Sequence, residues 1–304
     1  MTISRHSLVL VLATGLIFSA HAQMGPPIPA GTTVYKAEVL TVHQSDAGLD
    51  AGGKVALSQI GLKVGLQYGL DAGNSIGGGI GYSQDNYKFS GIPGTGGFAP
   101  WDDIQQWDIN LQYRHTLDRT ASLFVMPMVQ FSGEKDAARS DSLVWGGIVG
   151  YTKIVSKTLA LGIGGGAFSG LEETKGFPFI YVYWQINEDW RLSNPFRPGP
   201  SGPAGFEFVY TGHEEWELGF GGGYRSNRFA LDNAGVAPGG YGENTAVPLF
   251  VRLSREFPSG GHVDLYAGAL VGGELQLENS RGGKLSETNY DTSLILALSF
   301  SQRW

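Results

Sequence analysis

Polar and apolar residues alternate along most of the chain. Over residues 106–114, Trp107, Ile109, Leu111 and Tyr113 share one face, and Gln106, Asp108, Asn110, Gln112 and Arg114 share the other. Successive side chains of a strand point to opposite sides, so this period of two predicts a strand with one greasy and one polar face. Residues 59–68 repeat the pattern, with Ile60, Leu62, Val64, Leu66 and Tyr68 opposite Gln59, Lys63, Gln67 and two glycines. Residues 262–278 extend it: Val263, Leu265, Ala267, Ala269, Val271, Leu275 and Leu277 oppose His262, Asp264, Glu274, Gln276 and Glu278.

Read in this way with Gly, Pro, Asn and Asp as punctuation, the chain predicts strands at 33–43, 53–69, 75–90, 103–116, 120–133, 140–154, 157–170, 176–187, 189–194, 203–211, 215–230, 245–257, 261–278 and 289–304. That is an all-β chain of 14 strands. If the proline-rich stretch 187–204 is all loop, the number falls to 12, because proline removes ladder donors. Pro127 inside a predicted strand implies a bulge or a rim position.

Alternation alone does not separate a soluble sandwich from a membrane barrel. The connections do. Those at 90–102, 231–244 and 279–288 are long, whereas those at 71–74, 117–119, 156–157, 212–214 and 258–260 are short. If the N-terminus starts in the periplasm, every short turn falls on that side, as in outer-membrane barrels. In the last stretch Tyr290, Leu294, Leu296, Leu298, Phe300 and Trp304 share a face. It resembles the closing strand of bacterial outer-membrane proteins, and that resemblance implies that Phe300 and Trp304 are read by the barrel-assembly machinery. The expected fold is a transmembrane antiparallel up-and-down β-barrel of 12–14 strands over residues 33–304.

Composition agrees. The 47 glycines and 12% aromatic residues suit a barrel with small interior residues and aromatic girdles. Trp107, Tyr113, Trp184, Trp216 and Trp304 are read as girdle residues, because their rings favour the interface. There is no cysteine, so no disulfide staples the fold. Residues 1–22 read as a signal peptide: basic Arg5 and His6, an apolar run at 8–18, and Ala20-His21-Ala22 as a cleavage site ending at Ala22. Residues 23–32 read as a flexible periplasmic lead. Loss of Arg5 takes the formal net charge from −7 to −8. An acidic chain is a poor partner for nucleic acid. Outer-membrane lipid and lipopolysaccharide are the expected surroundings, and the sequence leaves the oligomeric state open.

The chain also resembles a group of Gram-negative outer-membrane barrels known only as a domain of unknown function. Phe177-Pro178-Phe179 with Trp184, Trp190-Arg191-Leu192, Gly223-Tyr224-Arg225 with Phe229-Ala230-Leu231, and Asn289-Tyr290-Asp291 carry the resemblance. It brings no activity and no catalytic residues.

Strand phase sends Lys36, Glu38, Lys63, Asp108, Arg114, Glu207, Glu217, Arg225, Arg252, Asp264, Glu274 and Asp291 to the lumen. Such a set fills a barrel with ion pairs, or lines a selective passage. His43, His115, His213 and His262 have no metal-ligand spacing, so no metal site and no cofactor is expected. The paired acids Asp102-Asp103 and Glu172-Glu173 fall in predicted outer loops. Gly162-Ile163-Gly164-Gly165-Gly166 mimics a dinucleotide fingerprint, but no helix follows it. A passive channel or small-solute transporter is the first functional expectation. A structural or surface-interaction barrel with a filled lumen is the second. A barrel-borne lipid- or peptide-processing hydrolase is the third, and it needs a Ser, a His and a carboxylate to meet in space.

Overall fold

The computed structural model describes residues 28–93, 99–195, 197–202 and 204–304. The predicted signal peptide and most of the lead lie outside them. Strands occupy β1 (Thr33–Gly48), β2 (Lys54–Gly69), β3 (Asn74–Ser90), β4 (Ile104–Thr116), β5 (Ala121–Glu134), β6 (Leu143–Ile154), β7 (Leu159–Gly170) and β8 (Glu173–Gln185). They continue as β9 (Trp190–Ser193), β10 (Gly205–Tyr210), β11 (Trp216–Gly223), β12 (Arg225–Ala230), β13 (Tyr241–Glu256), β14 (Gly261–Glu278), β15 (Lys284–Tyr290) and β16 (Ser293–Arg303).

Two pairs of these are single strands with a break. β11 and β12 face β13 in one unbroken register, from Trp216↔Arg255 to Ala230↔Tyr241, interrupted at Tyr224. β15 and β16 likewise share one register against β14, interrupted at Asp291 and Thr292. Counted so, 14 antiparallel strands run up and down, and β16 closes on β1 from Lys36↔Arg303 to Gln44↔Ile295. Closure leaves no edge for water to satisfy, which is how a sheet survives in lipid.

The outside of the wall is apolar. Ile60, Leu62, Val64 and Leu66 on β2 are exposed in a row, as are Leu294, Leu296 and Leu298 on β16, with Leu294 at 68% and Leu111 of β4 at 60%. A sandwich would bury this face, so its exposure settles the choice for a membrane barrel. All five predicted girdle aromatics are exposed.

The end that carries Thr33 and Arg303 has only short turns, and we call it the lower end. Asp71 and Asp118 cap two of these turns by accepting hydrogen bonds from the backbone two and three residues on. The upper end is less uniform. The β7–β8 turn is two residues, Leu171 and Glu172, both at positive φ (53° and 58°), the geometry of a tight type I′ hairpin. Glu173 already belongs to β8. Half of the long loop expected at 279–288 is also strand, since β15 starts at Lys284. Pro127 lies mid-strand with no register shift, rather than in a bulge or at a rim. It faces outward, and no Cα pairs join β4 and β5 opposite it.

One level near the upper end changes the fold. Three adjacent strands each carry an extra residue there: β1 between Gln44 and Ala47, β14 around Gly272 (φ 59°), and the β15–β16 break at Asp291 and Thr292. An extra residue exchanges the two faces of a strand. Above that level Ala47, Leu49, Leu275, Leu277 and Tyr290 turn inward, while Glu274 and Gln276 turn outward. At the same level β12 leaves the wall and crosses the lumen, meeting β5 in a single parallel bridge, Ala230↔Gly133. A dry core forms above it. Trp101 sits at its centre, with ring centroids 5.6 Å from Tyr87, 5.3 Å from Phe89 and 5.2 Å from Phe229.

Candidate functional site: the barrel lumen

Below the dry core lies a polar waist. Asn227 of β12 donates to Asp85 (2.9 Å) and accepts from Gln106 (2.5 Å). Asn244 donates to the hydroxyl of Tyr87 and accepts from that of Tyr290, both at 3.1 Å. Arg225 lies against Asp85 and Tyr290. Fully buried polar groups need such partners, and here they tie β12 and β13 to β3, β4 and β15.

The lower lumen holds an ion network. Arg252, 1% exposed, donates to Glu207 at 2.6 Å and to Asp264 at 3.2 Å. Ser299 donates to the other oxygen of Asp264 (3.2 Å). Residues 197–202, between β9 and β10, lie inside the barrel rather than away from it. Arg197 donates to Glu217 (2.9 Å), Asp264 (3.1 Å) and Ser254 (2.6 Å), and lies 3.2 Å from His262 Nδ1. Arg191 donates to Glu217 at 3.0 Å. Pro198 to Gly202 line a cavity with Glu38, Lys63 and Asp108, and Gly199 lies against the Tyr266 ring, where a β-carbon would come within 2.8 Å.

A Ser, a His and an Asp do meet here, as the hydrolase reading requires. They meet on Arg197 rather than on one another. A triad needs the imidazole hydrogen-bonded to the serine, and this guanidinium holds the two apart.

Of the predicted lumen residues, Lys36, Glu38, Lys63, Asp108, Arg114, Glu207, Glu217, Arg225, Arg252 and Asp264 lie inside. Lys36 pairs with Glu38, and Lys63 stands 3.6 Å from Asp108. Arg114 lines a cavity of about 900 Å³ at the lower mouth. Glu274 and Asp291 do not line the lumen. The extra residues in β14 and at the β15–β16 break turn Glu274 to the outer face and leave Asp291 exposed beside Gly48. Phe300 and Trp304 are both exposed, on the outer face at the closing seam.

Alternation did not find Arg197, Asp85 or Asn227. Arg197 sits among prolines that carry no period. Asp85 and Asn227 become partners only because β12 crosses the barrel.

Two cavities open at the lower end. One, of about 440 Å³, is charged and lined by Lys36, Lys63, Arg191, Arg197, Glu217 and His262. The other is the 900 Å³ mouth beneath β4 to β8. Between the mouth and the waist, β4 presents Gln106, Asp108, Asn110, Gln112, Arg114 and Thr116 in one inward row. The inner face of β5 to β8 differs. Met126, Met128, Phe168 and Phe177 form one buried cluster with Val144, Ile148 and Phe179 packed on it. Among the described residues no group of three or more His, Asp or Glu side chains is placed to hold a metal ion.

No family profile matches the chain, and no curated protein matches it. Solved structures do. An outer-membrane channel of the COG4313 group from Pseudomonas putida F1 aligns over 91% of this chain and 97% of that one, with TM-score 0.50 and 10% identity. The toluene transporter TodX of Pseudomonas putida aligns over 96% and 95% at TM-score 0.47 and 9% identity. The KdgM porin, solved with disordered oligogalacturonate, aligns over 87% and 98% at TM-score 0.35 and 7% identity. The first shares the fold; the other two are more distant.

Proposed function

We propose that this chain is a small-solute channel of the bacterial outer membrane, seen in a closed state. One observation carries the reading: the lumen is shut by pieces that are not wall. The 14-strand ring is wide enough for an aqueous passage. The polar row on β4 runs from the lower mouth to the waist. What stops it is the inward stretch 197–202 and the inward strand β12, both held by side-chain hydrogen bonds and ion pairs. A barrel built only as a scaffold has no need of 440 and 900 Å³ of lumen below a removable plug. The fold of the similar channel from Pseudomonas putida F1 agrees with this reading. In the same orientation the lower end faces the periplasm, lipid and lipopolysaccharide surround the wall, and the assembly machinery reads Phe300 and Trp304.

Solute efflux from liposomes tests it. Folded protein should release small solutes slowly. A variant in which residues 197–202 are replaced by a short Gly-Ser linker should release them faster and show larger single-channel conductance. If both proteins fold and neither passes solute, the channel reading fails.

A further inference from the structure

We propose that the apolar inner face of β5 to β8 binds a small uncharged apolar molecule, which reaches it from the membrane through a breach in the wall beside β8. The proposal rests on the channel reading and names the class of solute.

The lining comes first. A water-filled barrel is lined by polar or small side chains. Most of this lumen obeys that rule, and the inner face of β5 to β8 does not. Met126, Met128, Phe168 and Phe177 are all at most 7% exposed and touch one another. Methionine adapts its shape to what it meets and makes favourable contacts with rings. Two methionines facing two phenylalanines make a surface that accommodates apolar guests of more than one shape.

The wall behind them is built to hold rings flat. Between Val144, Ile148 and Phe168, the inward positions of β6 and β7 beside this cluster are glycine: Gly146, Gly150, Gly164 and Gly166. A β-carbon on Gly166 would lie 2.6 Å from the Phe177 ring. One on Gly164 would overlap the Phe179 ring, and one on Gly150 the Phe124 ring. The rings therefore lie back against bare backbone instead of projecting across the lumen.

The face also connects two spaces. Above it a cavity of about 70 Å³ is lined by Phe168, Leu171 and Phe177 together with the polar Gln130, Glu173, Lys175 and Arg228. Below it the 900 Å³ mouth is lined by Ala160, Tyr181 and Tyr183. Phe177, Phe179 and Tyr181 form one inward row on β8 from the first space to the second. The row changes from apolar to phenolic as it nears the lower mouth.

The breach is visible in the strand pairing. Among the described residues, β8 pairs on its β9 side only through Tyr183, Trp184 and Gln185. Asn194 then caps the seam, bonding to Val182 N (2.8 Å), Ile180 O (3.1 Å) and Gly205 O (3.0 Å). Above that cap, the edge from Thr174 to Pro178 has no strand partner among the described residues, because β9 ends at Ser193 and β10 starts only at Gly205. Pro178 has no N–H to leave unmet at this edge. Two contacts roof the breach, Lys175–Glu243 at 3.5 Å and Arg228–Glu173 at 3.8 Å. Unpaired backbone is tolerated at membrane depth only where it meets protein or a cavity. Here it borders the way to Phe177.

Photolabelling of the full chain in lipid nanodiscs tests both halves. The probe is azioctanol, an eight-carbon alcohol bearing a diazirine. Adducts should appear on Met126, Met128, Phe168 or Phe177. Excess 1-octanol should abolish them, while excess sucrose leaves them and while adducts on lipid-facing Leu294 to Leu298 persist. Absence of competed inner adducts would overturn the binding site. For the breach, Lys175→Cys with Glu243→Cys is bridged by a short bis-maleimide in this otherwise cysteine-free chain. Bridging should abolish inner labelling and spare the lipid-facing adducts. Inner labelling that survives bridging would overturn the route. Ion efflux, measured on the same preparation in liposomes, keeps the channel reading separate: efflux without inner adducts rejects only the apolar solute.

Discussion

Ala230 and Gly133 meet in a single parallel bridge between two strands that the wall keeps apart. The contact is the far end of β12's crossing of the lumen, so it reports whether the barrel is shut. Bridge partners stand about 5 Å apart, within the span of a disulfide. In the variant Gly133→Cys with Ala230→Cys, oxidation should stop solute efflux from liposomes, and a reductant should restore it. Efflux indifferent to oxidation, with the disulfide confirmed by mass spectrometry, would show that β12 stays in place when solute passes.

Arg252 anchors the lower network. Arg252→Met leaves Glu207 and Asp264 facing each other without the cation between them. Removing one member of a buried ion group costs about 3 kcal/mol. The midpoint of urea unfolding in lipid vesicles should fall accordingly. Adding Glu207→Gln to the same variant should recover part of the loss, since one stranded charge is then gone.

The glycines behind the aromatic face make a sharper comparison. Gly164→Ala pushes a methyl into the Phe179 ring and to within 2.5 Å of the Val149 carbonyl. Overpacking of this kind costs about 1–3 kcal/mol. At Gly176 the nearest atom to a new β-carbon is 3.6 Å away, and Gly176→Ala should change stability by no more than about 0.5 kcal/mol. Parallel urea titrations of the two variants check the difference.

Two lower turns give a pH signature. The Asp71 carboxylate accepts hydrogen bonds from the side chain of Asn74 and from backbone N–H groups, and these hold it below the usual carboxylate range. The Thr120 backbone and hydroxyl do the same for Asp118. A depressed carboxyl stabilises the fold above its unfolded pKa, about 4, and that contribution is lost as pH falls through the folded value. The double variant Asp71→Ala, Asp118→Ala should therefore be less stable than the parent at pH 7. The gap should narrow below about pH 4, which unfolding midpoints taken across that range will show.

Much of the barrel was legible because lipid imposes a simple rule on each strand. The faces of Trp107 to Tyr113 and of Leu294 to Leu298 follow from alternation alone, and short turns identify the lower end. Ten of the twelve lumen charges follow from the same phase. The rule fails where the surroundings change. Gly272-Gly273 was the available sign of a bulge in β14, yet Leu275 and Leu277 continue the odd-numbered apolar row as though nothing had happened. Only the closed sheet shows that they point inward. Segment 194–204 was ambiguous for a different reason. Its prolines exclude a ladder but say nothing of direction, and Arg197 points inward because three acceptors wait there. The apolar face of β5 to β8 was hidden by its glycines, which carry no polarity for alternation to read.

On β1, β14 and the β15–β16 strand, and on that side of the barrel alone, the level at which the faces exchange is also a waterline. A membrane strand needs about 9–11 residues, and β14 has 18. Its surplus rises above the bilayer with Glu274 and Gln276 outward and Leu275 and Leu277 inward, the anatomy of a water-soluble protein. The molecule thus carries a turret on its own staves, and the height of that turret is set by its internal core rather than by the thickness of the membrane beneath it.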